Sequence, residues 1–214
     1  MRKIATTTLV GLAVAFSASA ASAQACNGTA PFSAGKMRVG VDLEFPSNAT
    51  GYAGDFSVGT ASALYGTASV GIVSPSGGGG NSTTFGVRGG KVIPVGAKKT
   101  VEACPQLFFN HFSGPNSPGF DVSGNSFGAG VTFGTTMKQT SWDLVPFGGA
   151  QLHRDAVSVT GTPGASDTNL DLLGGVGFVL SKTWTVRPMI TVPLTNNGDA
   201  TFGVYGSLNF GGKP

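Results

Sequence analysis

Residues 201–210, TFGVYGSLNF, alternate without a break. Phe202, Val204, Gly206, Leu208 and Phe210 share one face; Thr201, Gly203, Tyr205, Ser207 and Asn209 share the other. Alternation with period two makes a strand with one apolar and one polar side. About ten residues is also the length that a tilted strand needs to cross a bilayer. A chain that ends on such a stripe must bury it, either in the core of a soluble barrel or sandwich or in lipid hydrocarbon.

The other end of the chain bears on which. Arg2 and Lys3 open it, residues 4–16 are apolar but too short to span a membrane, and Ala21, Ser22 and Ala23 form a small-residue cleavage site. This is the pattern of a secretory signal peptide over residues 1–23, with the mature chain expected to start at Gln24. Two of the 13 Lys and Arg leave with that leader, and the remaining 11 stand against 10 Asp and Glu. The basic character is then largely a property of the leader, and nothing supports a nucleic-acid partner. No glycine-rich loop runs into Lys-Ser or Lys-Thr, so no phosphate cradle is expected.

After the leader no apolar run approaches 18 residues, which excludes a transmembrane helix. Short alternating segments separated by Gly, Asn, Ser and Pro clusters predict an all-β chain of one domain. Strands are expected near residues 35–45, 54–64, 67–74, 84–95, 99–112, 121–137, 141–157, 168–180, 183–194 and 200–210. The count is about ten, with 54–74 read as a hairpin through Tyr65 and Gly66; a single long strand there keeps eight possible. Gaps near 65–66, 96–99, 138–141 and 181–183 are tight, and those near 46–53, 75–83, 113–120, 158–167 and 195–199 are longer. Short turns on one side and longer loops on the other are the layout of a closed, antiparallel up-and-down transmembrane barrel. The expected organisation is a 24–34 periplasmic N-terminal segment, a 35–210 barrel and a 211–214 tail.

Alternation alone does not say which face is inside. Three signals put the apolar face outward. Trp142 and Trp184 follow proposed short turns and Phe210 ends the last strand, as expected of membrane-interface aromatics. Lys98, Lys99, Lys138, Lys182 and Lys213 fall in or beside the short turns or at the chain end, outside the hydrocarbon. The polar face is rich in Gly and Ser and carries both signs of charge. Arg38, Asp42, Glu44, Arg88, Glu102, Asp143, Asp171 and Arg187 face the lumen by parity and are expected to form a charge network there. Lys91 falls on the apolar face, which requires either that it snorkels at the rim or that a bulge at Gly89 and Gly90 flips the register. Pro94, Pro105, Pro146, Pro188 and Pro193 predict further bulges or uneven pairing.

The leader, the alternating Gly-rich strands, the turn rhythm and the terminal TFGVYGSLNF resemble the small bacterial outer-membrane β-barrel proteins over the whole mature chain. That resemblance implies residence in the outer membrane, contact with its lipid, and insertion by the barrel-assembly machinery, which reads a last strand ending in an aromatic. Here residues 211–214 follow Phe210.

Cys26 and Cys104 are the two cysteines, and an even number in an exported chain predicts one disulfide. Neither a metal site nor a cofactor is expected from so few ligands. His153 and Asp155 share a strand face, where a barrel enzyme could place a rim site. No nucleophile or second base is spaced to match, so the expectation is a non-enzyme. The sequons at Asn27, Asn48 and Asn81 are what chance supplies. The readings are an outer-membrane barrel of structural, adhesive or narrow solute-passage role with a side-chain-filled lumen, an outer-membrane enzyme around His153, or a soluble secreted barrel that binds a ligand.

Overall fold

The computed structural model describes residues 25–29, 35–76, 80–114, 121–161, 164–181, 183–195 and 198–211. The leader, Lys182 and Lys213 lie outside them. The strands are β1 (Lys36–Phe45), β2 (Ala49–Gly59), β3 (Leu64–Pro75), β4 (Ser82–Lys91), β5 (Ile93–Val95), β6 (Val101–Ser113), β7 (Val122–Thr135), β8 (Met137–Lys138), β9 (Asp143–Val159), β10 (Ala165–Val179), β11 (Trp184–Pro193) and β12 (Thr201–Gly211). All pairings are antiparallel between chain neighbours, and β12 closes on β1 with Lys36 opposite Gly211 and Phe45 opposite Phe202. The short β5 continues the line of β4 against β6, and β8 that of β7 against β9, without change of register. The wall therefore has ten staves. Carried round the closure, the registers displace the chain by about 12 residues, which tilts ten strands about 40° from the axis, the usual range for a closed barrel.

The parity read from the sequence is the parity of the wall. Val41 is 60% exposed, Val70 65%, Leu107 59% and Phe127 61%, all on the outer face. They belong to an apolar belt that encircles the molecule. A water-facing belt of this extent is not sustainable in a soluble monomer, where apolar patches stay at a few hundred Å². Inside, the buried groups gather at the end where β1 begins and β12 ends. Cys26, Tyr65, Val92 and Cys104 form one cluster there, and Ala25, Val145 and Val179 another.

Several boundaries differ from expectation. The turn between β2 and β3 is at 60–63, not at Tyr65 and Gly66. The Thr60 hydroxyl and amide close it on Leu64, and Ala63 takes a left-handed backbone with φ 61°. Tyr65 is thereby free to turn inward onto the cysteine cluster. At the other end the connection between β1 and β2 is only 46–48, because Ala49 to Gly51 already pair with β3.

The bulges expected from glycine and proline do not form. The β3–β4 ladder runs in constant register through Gly89 and Gly90, and Lys91 ends it on the outer face opposite Leu64. Prolines instead leave gaps. Pro105 has no N–H to donate, the β4–β6 ladder stops at Gly90 opposite Gln106, and the Val92 amide donates to the Ala63 carbonyl at 2.9 Å. The β10–β11 ladder likewise lapses around Pro188 and resumes in the same register. Pro94, Pro146 and Pro193 sit within ladders opposite Glu102, Val176 and Asp171.

Candidate functional site in the lumen

The chain enters its own barrel. Ala25–Asn27 is a single 3-10 turn, closed by the Gly28 amide on the Ala25 carbonyl at 2.9 Å. It packs inside the wall against β6, β7 and β9. Cys26 and Cys104 are both 0% exposed and form a disulfide, with Cα atoms 5.8 Å apart. The wall supplies further anchors. Glu102 accepts the Ala25 amide at 2.7 Å, Arg187 Nη1 donates to the Asn27 carbonyl at 2.5 Å, and Thr132 Oγ1 reaches Asn27 Oδ1 at 3.4 Å. Arg38 donates to the Thr29 hydroxyl through Nη1 at 2.9 Å and to Ser57 Oγ through Nη2 at 3.3 Å. Two glycines make the seat. A Cβ at Gly134 would overlap the Ala25 carbonyl, and one at Gly177 would overlap the carbonyl of Gly28. No larger residue fits at either position while the segment stays in place.

Above this plug lies a cavity of about 640 Å³. Arg38, Arg88 and Arg187 reach it, as do Asp42, Glu44, Asp55 and Asp155, with Asn27 of the plug at its floor. Aromatic rings carry the guanidinium groups: Arg187 lies 4.4 Å from the Tyr205 ring centroid and 5.4 Å from that of Phe147, and Arg88 lies 5.7 Å from Phe108. Tyr205 Oη donates to Asp55 Oδ1 at 3.2 Å, and Tyr65 Oη to Gln106 Oε1 at 3.1 Å.

The lumen charges expected from parity are thus distributed over distinct sites. Arg38, Asp42, Glu44, Arg88 and Arg187 meet in the cavity, whereas Glu102 holds the plug. Asp171 joins His153 on the far wall, and Asp143 stands at the base of β9 opposite Lys138 and Val179. The sequence assigns Tyr65 to a turn and Asn27 to a sequon, and gives Asp55 and Thr29 no part in the lumen site. Parity placed Tyr205 on the polar face, but nothing local shows that a guanidinium will stack on it. Trp142, Trp184 and Phe210 are all exposed and lie at the end where β1 begins and β12 ends, with the Trp142 ring 5.9 Å from that of Phe178.

His153 stands between two carboxylates, with Nε2 3.1 Å from Asp155 Oδ2 and Nδ1 3.5 Å from Asp171 Oδ2. Those carboxylates are tied in turn by Asn169 Nδ2 at 2.6 Å and Gln151 Nε2 at 3.0 Å. The cluster joins β9 to β10 across the inner wall. Among the described residues no group of three His, Cys, Asp or Glu side chains is arranged to hold a metal ion.

Neither a protein-family model nor a curated protein matches the sequence. Solved structures do match it. The β domain of the Bordetella autotransporter BrkA aligns at 12% identity with a TM-score of 0.54, covering 83% of this chain and 99% of that one. The translocator domain of the autotransporter NalP from Neisseria meningitidis aligns at 13% identity with a TM-score of 0.48, covering 82% and 86%. The N-terminal β-barrel domain of Pseudomonas aeruginosa OprF aligns at 8% identity with a TM-score of 0.39, covering 83% and 98%. Closed ladders, an apolar outer belt and a polar interior agree with that likeness: the chain has the fold of bacterial outer-membrane β-barrel proteins.

Proposed function

We propose that the protein is a stoppered outer-membrane barrel of structural or adhesive role, closed at its periplasmic end and open outward as a blind vestibule. One observation carries the reading: residues 25–29 occupy the lumen, anchored by a disulfide whose cysteines are wholly buried. A buried disulfide is out of reach of thiolates, so the stopper is built to stay rather than to cycle. The inward charges serve this arrangement: Arg38, Arg187 and Glu102 hold the plug, and Asp42, Glu44 and Arg88 keep the vestibule wet. Asp171 braces the wall beside His153, Asp143 stands at the base of β9, and Trp142, Trp184 and Phe210 are assigned to the periplasmic interface. Outer-membrane lipid is the partner of the belt, and β12 is the strand offered to the barrel-assembly machinery. His153 is assigned to bracing the wall rather than to catalysis, because both carboxylates beside it are fixed by amides of that wall.

The test is conductance in planar bilayers. The native protein is expected to show little or no steady current and at most small flickering events. Large stable channels from pure native protein would overturn the reading and make the molecule a pore.

A further inference from the structure

We propose that the vestibule is a binding site for a small zwitterionic solute that carries an ammonium and a carboxylate, of the amino-acid or short-peptide class. The inference rests on the stoppered reading, since a solute that enters a blind cavity can only bind or leave. The cavity volume of about 640 Å³ suits such a guest.

The chemistry follows from which charges are already engaged. Arg38 and Arg187 are committed to the plug through Thr29 and Asn27, and Asp55 and Asp155 accept hydrogen bonds from Tyr205 and Asn169. Asp42, Glu44 and Arg88 differ from these. The Asp42 carboxylate takes a hydrogen bond from the Leu43 backbone and lies within reach of the Arg187 charge, while its buried Oδ1 has no hydrogen-bond partner among the described residues. Glu44 is exposed to the cavity between two glycines, Gly51 on β2 and Gly203 on β12, so neither neighbouring strand covers its carboxylate. Arg88 is exposed to the same cavity, stacked on Phe108, near enough for its charge to act on both carboxylates. The vestibule thus presents Glu44 on β1 and Arg88 on β4 to a guest, with Asp42 beside them.

Each simpler ligand leaves one part of this unmatched. An anion would face the carboxylates, a polyamine would face the arginines, and a neutral sugar would desolvate charges without pairing them. A zwitterion places its ammonium on Asp42 and Glu44 and its carboxylate on Arg88 through charge-assisted hydrogen bonds.

Calorimetric titration of the full-length mature protein in detergent, with the dipeptide lysyl-glutamate as probe, tests this. Comparators are the same dipeptide acetylated and amidated with neutralised side chains, glutarate, 1,5-diaminopentane and maltose. Saturable binding of the zwitterion is expected, with each comparator weaker by about tenfold or more. Glu44→Gln and Arg88→Gln should each weaken binding by about tenfold. Both substitutions face open cavity, and a heat-modifiable band on gels confirms that each variant is folded. Absence of saturable binding, equal binding of the single-sign or neutral comparators, or unchanged affinity in folded variants would overturn the proposal. Conductance separates the two readings. A closed barrel that does not bind refutes only the ligand site, whereas a steadily conducting one refutes the stopper.

Discussion

At the scale of single residues, the same amino acid does different work on the two faces. Gly66 faces outward on β3, and a side chain added there would meet open space, whereas Gly134 and Gly177 face the plug backbone. Gly66→Leu should leave the thermal unfolding midpoint nearly unchanged. Gly134→Leu and Gly177→Leu should each cost about 1–3 kcal/mol, as overpacking does, read as a lowered midpoint. If all three behave alike, the segment is not seated where the structure puts it. The outer face follows a different rule. Val131→Arg and Val204→Arg, in the middle of their strands, should cost about 2–4 kcal/mol if they meet hydrocarbon, measured by urea titration in lipid vesicles. Ser69→Arg points into the cavity and should be milder. Thr132 would be a poor control, since parity puts it inside but the structure puts it against Asn27.

At the scale of elements, the plug and its strand form a unit. The disulfide closes a sequence separation of 78 residues, and chain entropy sets its contribution at about 4–5 kcal/mol at most. Thiol alkylation of non-reduced protein should therefore label neither cysteine, and quantitative labelling would refute the link. Glu102 provides a second, separable test. Glu102→Ala leaves the buried Ala25 amide without its acceptor, which costs about 1–3 kcal/mol. Hydrogen exchange should then quicken at residues 25–29 while the ladders of β6 and β7 stay protected. Uniform quickening would mean that Glu102 supports the wall rather than the plug. The β4–β5 break shows how such elements are specified: one proline on the neighbouring strand ends a ladder that glycine alone leaves intact.

For the molecule as a whole, closure without a free edge and an apolar belt require a bilayer or a detergent. Purified mature protein should need detergent, show mainly β signal by circular dichroism, and shift mobility on heating. A stable monomer in plain buffer would contradict the belt exposed in the structure. Deleting residues 25–29, or replacing both cysteines by serine, should raise bilayer conductance above that of the native protein. Unchanged currents in a folded deletion variant would show that side chains of the wall, not the plug, close the lumen.

Period-two alternation is a local property, so the stripes of β1, β6, β7, β11 and β12, the face of each residue and the approximate number of strands were legible in the chain. The disulfide was legible too, because two cysteines in an exported protein leave one pairing. The turn at 60–63 was not, since Thr60 closes it on Leu64 and Ala63 donates to the Thr60 carbonyl from a left-handed backbone, while Gly66, the local turn former, stays in the strand. Nor could parity tell which charges would meet. That depends on the stagger of ten strands around a closed wall, which brings Arg88 of β4 to the acids of β1 and leaves Asp171 with His153. Local patterning decided what faces inward; only closure of the barrel, with the N-terminal segment threaded into it, decided what those inward groups touch.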